Sequence, residues 1–410
     1  LDAAAGKSIT FKPGVYDVDG TLLRISAGTI IYAYGVTFRL AAGSYSSMSV
    51  ILGTGTTPTY DPAIAETAGV KIFGLTIDGN TENVTTTRSC TGIFAYRARD
   101  WTLRDVTIKN LPGSTGEGYG FIAAYSSNVT FDGDVLSTDR QNICIWETQN
   151  ASIENSTLKD SRARECILVS SFSPATYQPS TARIANTKCT NTHLSGTHVI
   201  RWSGESSGSM DNIDVTGVRS GDAGLHGIYI TDTYPKSITA SNIKVNGAWR
   251  GIEIASDAAH KITLSNFEIG GIDPCYDAIY ANSDGASVKL VGGYAAAENR
   301  VLYCNAANYQ SVIGVELVGG TQASSVITES GGTTQLIGNT LRGCTSASYP
   351  IIVSGSGAPI ICGNVAVGNA VNTMRCYPTA LCSGNSAIIV DGAAKSGSQS
   401  KSGPTASRPS

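Results

Sequence analysis

The sequence predicts an all-β protein, a right-handed single-stranded parallel β-helix of about eleven or more rungs, from three observations. At 410 residues the chain is too long for one compact core and calls for several domains or a repeat array. Its composition favours the array: 46 glycines, 15% charged residues and three methionines suit short strands joined by tight turns, not helices. A strand-like unit then recurs along most of the chain.

Residues 1–45 hold four strand-like runs, ITFKPGVYDV, LLRIS, TIIYAY and VTFRL, separated by glycine-containing turns. They read as the end of an N-terminal cap and the first coils. LDAAAGKS at the start reads as the end of a helix entering a strand, so the chain is expected to be part of a longer protein. After the Thr/Pro-rich stretch 53–67 the repeat begins, and residues 46–394 form the body. Its marker residues are Ile93, Ile122, Ile143, Ile167, Val199, Ile228, Ile252, Ile279, Leu302, Val326 and Ile351, spaced 21 to 32 residues apart and clustering near 24. Between markers lies a second piece, as in KSITASNIKVNG (236–247) and HKITLSNFEIGG (260–271), with two short strands around a Ser-Asn corner. Three strands per repeat is a coil of a β-helix. Residues 395–410, SGSQSKSGPTASRPS after Lys395, read as a flexible linker to a further module.

A net charge of −3 gives no reason to expect nucleic acid or an anionic membrane as partner, and no apolar run reaches the ~18–20 residues of a membrane-spanning helix. The ten cysteines are scattered singly within apolar strands and read as buried, reduced thiols; only Cys376 and Cys382 are close enough in sequence for a local disulfide. With four histidines and no ligand spacing, neither a metal nor a cofactor is expected.

The opening SITFKPGVYDVDGTLLRISAGTIIYAYGVTF (8–38) resembles the first coils of pectate-lyase-like β-helices, with Lys12-Pro13-Gly14-Val15-Tyr16 in the place of their starting strand. GPTASRPS (403–410) resembles the segment that precedes a small C-terminal module in bacteriophage tail proteins. Together they resemble the receptor-binding part of a phage tailspike. That resemblance implies a homotrimer in the virion tail, joined to the rest of the tail through a part absent from this chain, which binds and cleaves a bacterial capsular or surface polysaccharide. The polygalacturonase residue set is not matched, Gly224-Leu225-His226-Gly227 being a near miss, so no residue role carries over.

With the markers inward, the residues one and three further on point outward, placing Phe94, Tyr96, Trp146, Trp202 and Tyr229 on one face. Such aromatics either pack against neighbouring chains in a trimer or offer platforms for sugar rings. THVIRWS also admits a register one residue away, with Arg201 outside and Trp202 inside. Long irregular connections beside this face, including SFSPATYQPST (171–181) with Tyr177, are expected to wall a groove. Glycoside hydrolysis needs two carboxylates about 5–5.5 Å apart for retention or ~6.5–9.5 Å for inversion, and stacked rungs supply such spacings. Hydrolysis by such a pair is the expected chemistry, with Glu205 and Asp232 as the first choice and Glu147 or Glu165 as substitute partner. A lyase instead needs a base and a cation, for which His226 or Tyr229 with Arg164, Arg201 or Arg250 would serve. A non-catalytic adhesin and a secreted bacterial enzyme remain as further readings.

Overall fold

The computed structural model describes residues 5–390 apart from short stretches, the longest being 172–178, 192–197, 256–260, 320–326, 344–350 and 354–359. The expected cap end at residues 1–4 and the linker at 395–410 lie outside the described residues. No helix occurs among the described residues, and nearly all strands belong to one continuous set of parallel ladders. The fold is a right-handed parallel β-solenoid of about 11 turns.

The marker ladder runs Ile93↔Phe121↔Ile143↔Ile167↔Ile200↔Ile228↔Ile252↔Ile279↔Leu302 and on through Ile327 to Ile351. A second ladder passes through Leu103, Phe131, Ile153, Ile184, Met210, Ala240, Leu264 and Leu290. A third passes through Ile108, Val135, Leu158, Cys189, Val215, Val245 and Ile269. Side chains of all three meet in one continuous core, stacked like on like at the ~4.8 Å strand spacing.

The corner between the second and third strands explains the Ser-Asn signal. Asn155, Asn186, Asn212, Asn242 and Asn266 occupy it with φ between 48° and 55°, and Gly292, Gly314, Gly338 and Gly363 take over in later coils. Asparagine and glycine are the residues that tolerate this left-handed conformation at least cost.

Two markers are displaced by one residue: Phe121 and Ile200 stand in the ladder of Ile143 and Ile228, where Ile122 and Val199 were expected, and the marker Val326 lies outside the described residues. At Val199 the cause is a break in alternation at the start of the strand, where two successive residues face the core, Val199 with Ile200 as Val301 with Leu302; at 121–122 there is no such step, Phe121 facing the core and Ile122 the outer apolar cluster. The alternative register of THVIRWS is therefore the real one. Trp202 is fully buried inside the coil, its indole lodged where Gly208 lacks a side chain; a Cβ there would lie 2.8 Å from Trp202 Cη2. The expectation that Trp202 offers a surface platform is corrected accordingly.

The outward aromatics of the first rungs have a cause that the sequence reading did not weigh. Phe94, Tyr96, Ile122, Cys144 and Leu168 form a second apolar cluster, packed against Leu22, Ile64, Tyr125 and Trp146 of the same chain. The Tyr96 hydroxyl accepts the Asp61 N–H at 2.5 Å, and Arg97 donates to the Asp61 carbonyl at 3.1 Å, pinning the connection that crosses this face. No second chain is needed to explain their burial.

Candidate functional site

Beyond Leu168 the same face turns ionic. Two outward rows run along the solenoid axis. One aligns Tyr119, Gln141, Glu165, His198, His226, Arg250, Asp277 and Arg300; the other aligns Leu168, Arg201, Tyr229, Glu253, Tyr280 and Tyr303. The first row sits two residues before the marker, where the double inward step makes it face outward. Each rung therefore adds a polar group beside the last, about 4.8 Å on.

Glu165 is fully buried, takes a hydrogen bond from Gln141 Nε2 at 2.8 Å and lies 3.3 Å from an Arg201 guanidinium nitrogen. Glu253 is nearly as buried; Oε1 meets Arg250 at 2.5 Å, and Oε2 lies 2.8 Å from His226 Nδ1 at an angle poor for a hydrogen bond. Asp277, also buried, receives a fork from Arg300 at 3.1 and 3.0 Å and a further bond from Asn299 at 2.9 Å. Arg250 Nε stands 3.6 Å from Asp277, so one arginine bridges two carboxylates.

Aromatic rings fill the gaps. Tyr229 stacks on His198 with centroids 4.0 Å apart and meets His226 at 5.2 Å, and Trp249 lies 5.1 Å from His226. The Arg250 guanidinium sits over Trp249 and Tyr280 at 4.3 and 3.8 Å, and Arg300 over Tyr280 and Tyr303 at 4.9 Å each. Such cation–π contacts fix the cations in place. Burial, with help from His226, Arg201 and Arg164, pushes the His198 pKa down to about 2, so its ring is neutral at ordinary pH.

The polar network is incomplete. Arg140 Nε, Gln141 Oε1, His198 Nδ1, Arg201 Nε, Trp249 Nε1 and Arg250 Nε are all buried with no hydrogen-bond partner among the described residues. Each such atom costs about 1–3 kcal/mol when left unmet. They gather on one face of the solenoid, beside the His198, His226 and Tyr229 rings.

The expected site residues thus divide. Glu165, Arg201, His226 and Tyr229 come together on this face. Arg164 is exposed beside it, near enough to His198 to oppose its protonation. Trp146 is half-buried against the apolar cover instead of open to solvent. Glu147 and Glu205 lie at the other end of the marker strand. Glu147 is buried and takes a hydrogen bond from Ser171 Oγ at 2.5 Å. Glu205 lines a cleft of about 350 Å³ with Ser206, Ser207 and Lys236. Some six residues of strand, about 20 Å, separate Glu165 from that corner, so Glu165 cannot partner Glu147 or Glu205 across one glycosidic bond. Asp232 and Tyr177 lie outside the described residues. Sequence reasoning did not single out Glu253, Asp277, Trp249 and Arg300 as site residues; for Asp277 and Arg300 the signal was the position two before the marker, which alternation alone assigns to the interior, whereas Glu253 stands one after its marker, on the outward side.

This architecture defines the class, a right-handed β-solenoid with a polar outer face. A family model described as a right handed beta helix region matches residues 91–288, the stretch that carries the face as far as Asp277. No curated protein matches the sequence. Among solved structures, the chain is similar to the A-module of the mannuronan C-5 epimerase AlgE4 of Azotobacter vinelandii, at 14% identity over 95% of this chain and 93% of that one, TM-score 0.47. It is also similar to PfbA, a surface adhesin of Streptococcus pneumoniae, at 14% identity over 95% and 86%, TM-score 0.47. A family 28 exopolygalacturonase of Yersinia enterocolitica matches at 11% identity over 78% and 70%, TM-score 0.43. At such identities and scores none of them transfers a residue role.

Proposed function

We propose that the face from Gln141 to Arg300 binds a uronate-bearing polysaccharide laid along the solenoid axis and cleaves it by β-elimination. The observation that supports this most is the set of unmet buried donors, Arg140 Nε, Arg201 Nε, Trp249 Nε1 and Arg250 Nε, around the ring cluster of His198, His226 and Tyr229. Arginine forks match a sugar carboxylate, and neutralising it acidifies the proton on the adjacent carbon. His226 Nδ1 is turned toward Glu253 Oε2, 2.8 Å away, which leaves Nε2 as the ring nitrogen assigned to the base. In this scheme Nε2 takes the proton α to the carboxylate, a double bond forms between that carbon and its neighbour, and the bond from the neighbour to the glycosidic oxygen breaks. Tyr229 gives its hydroxyl proton to the departing oxygen. Arg201 and Arg250 hold the carboxylate.

The test is digestion of uronate-containing bacterial capsules with the purified chain. Elimination produces a conjugated unsaturated uronate that absorbs in the ultraviolet, and Tyr229→Phe should abolish that signal while sparing binding. Release of saturated fragments would contradict elimination.

A second reading, hydrolysis, is favoured by one observation. Glu147 and Glu205 share a corner two rungs apart, about 9.6 Å, near the upper end of the spacing for inverting glycosidases. Glu205→Gln separates the readings: hydrolysis loses its turnover, whereas elimination keeps it. We also propose, on the sequence resemblances, that the chain is part of a homotrimeric phage tailspike in the virion tail that presents this face to a bacterial surface polysaccharide. Mass measurement of the assembly in solution tests the trimer.

A further inference from the structure

On another side of the solenoid, where the second strands turn into the third, an open groove of about 690 Å³ runs along the axis. Asn212, Asn242 and Asn266 form one wall and Asp214, Lys244 and Glu268 the other, with Tyr294 at the end. The amides are linked rung to rung: Asn212 Nδ2 donates to Asn186 Oδ1 at 2.9 Å and Asn266 Nδ2 to Asn242 Oδ1 at 2.5 Å, while Asn242 Nδ2 donates to Asp211 at 2.8 Å. All three side chains are exposed, so each presents its second N–H and remaining lone pairs to solvent. The charges of the facing wall are paired, Lys244 with Glu268 at 3.2 Å and Asp214 with Lys188 at 3.6 Å.

The corner does not itself require amides. Four later coils make the same left-handed turn with Gly292, Gly314, Gly338 and Gly363. At three of these, Gly292, Gly314 and Gly338, a Cβ would meet nothing within 4 Å, so space does not forbid a side chain. Asparagines therefore line the groove where glycine would satisfy the backbone, and they add a planar donor–acceptor at each rung.

We propose that this groove is a second, non-catalytic glycan-binding site for an uncharged stretch of sugar chain. Hydroxyl groups fit a wall of amides, and a wall of paired charges offers hydrogen bonds without a net field that would select an ionised ligand. The lining spans four rungs, about 14 Å, which accommodates a segment of about three sugars with Tyr294 as a stacking surface. The site is independent of the chemistry on the marker-strand face.

The experiment is calorimetric titration of the whole chain with cellotetraose, xylotetraose and chitotetraose as uncharged probes and tetragalacturonate as a charged one. At least one uncharged tetramer should bind. The double variant N242G/N266G, whose glycines keep the left-handed corner, should weaken that binding by about tenfold to a hundredfold, as expected for losing two or more hydrogen bonds. Its melting temperature should stay near that of the parent, and Glu253→Gln should leave the binding unchanged. Failure of all three uncharged tetramers to bind, or binding unaffected by N242G/N266G, overturns the site. Binding of tetragalacturonate that N242G/N266G removes overturns the uncharged ligand class.

Discussion

His198 ties the pH dependence of the fold to the candidate site. Its ring is buried, stacked on Tyr229 and faced by His226, Arg201 and Arg164, and its pKa falls from the ordinary 6.5 to about 2. Above pH 6.5 the residue is neutral in folded and unfolded chains and contributes no slope. Below it the unfolded chain takes up a proton that the folded chain refuses, so stability is lost as pH falls, by about 1.4 kcal/mol per unit until about pH 2. Between pH 6.5 and 4.5 the loss is about 3 kcal/mol. With roughly 2.1 cal/mol/K of unfolding entropy per residue, a 410-residue chain loses about 1 °C of melting temperature per kcal/mol, hence about 3 °C. His198→Gln removes this titration and keeps a polar side chain. Melting curves of parent and variant at the two pH values, at one scan rate, should show the parent falling about 3 °C further than the variant. Parallel falls would refute the buried, neutral histidine.

Three further outcomes follow from the geometry. Trp202→Ala should destabilise the solenoid by about 3–5 kcal/mol, as large cavities in a core do, measured by denaturant unfolding; a neutral effect would return Trp202 to the surface. Glu253→Gln should lower turnover by a factor of about 10² to 10⁴ through loss of the group that orients His226, while circular dichroism stays unchanged; unchanged turnover would remove Glu253 from the site. The Cys90 and Cys144 thiols, pushed up to about 12 by burial, should resist a thiol reagent at mildly alkaline pH in the native protein and react on unfolding, as read by mass spectrometry.

The coil, its three strands and its Ser-Asn corner were legible in the sequence because each leaves a short-range signature: a recurring apolar run and a residue that tolerates positive φ. The register was less legible. A strand in which two successive residues face inward breaks the period of two, and Val199-Ile200 and Phe121-Ile122 offer no local sign of which residue is the marker. The ambiguity at 199–200 moved Trp202 to the surface, and the double inward step hid Asp277 and Arg300, which stand two residues before the correctly placed markers Ile279 and Leu302. Glu165, Arg201, His226 and Tyr229 were singled out in the sequence because ionisable and aromatic residues are rare in these strands. Their partners were not, because the contacts join residues on successive coils, such as His226 with Glu253 and Arg250 with Asp277.

The outward apolar residues of the first coils were equally ambiguous. Burial under a neighbouring chain and burial under the chain's own connection leave the same composition. Only the packing of Ile64 and Tyr125 over Phe94 and Tyr96 decides between them.

The central claim is that the histidine–tyrosine–arginine face removes a proton beside a uronate carboxylate. Its most direct measurement is ultraviolet absorbance together with fragment masses during digestion of a uronate-containing capsular polysaccharide by the purified chain. The account predicts unsaturated oligosaccharides and a rising absorbance that Tyr229→Phe eliminates. Saturated fragments that persist in Tyr229→Phe and vanish in Glu205→Gln would contradict it.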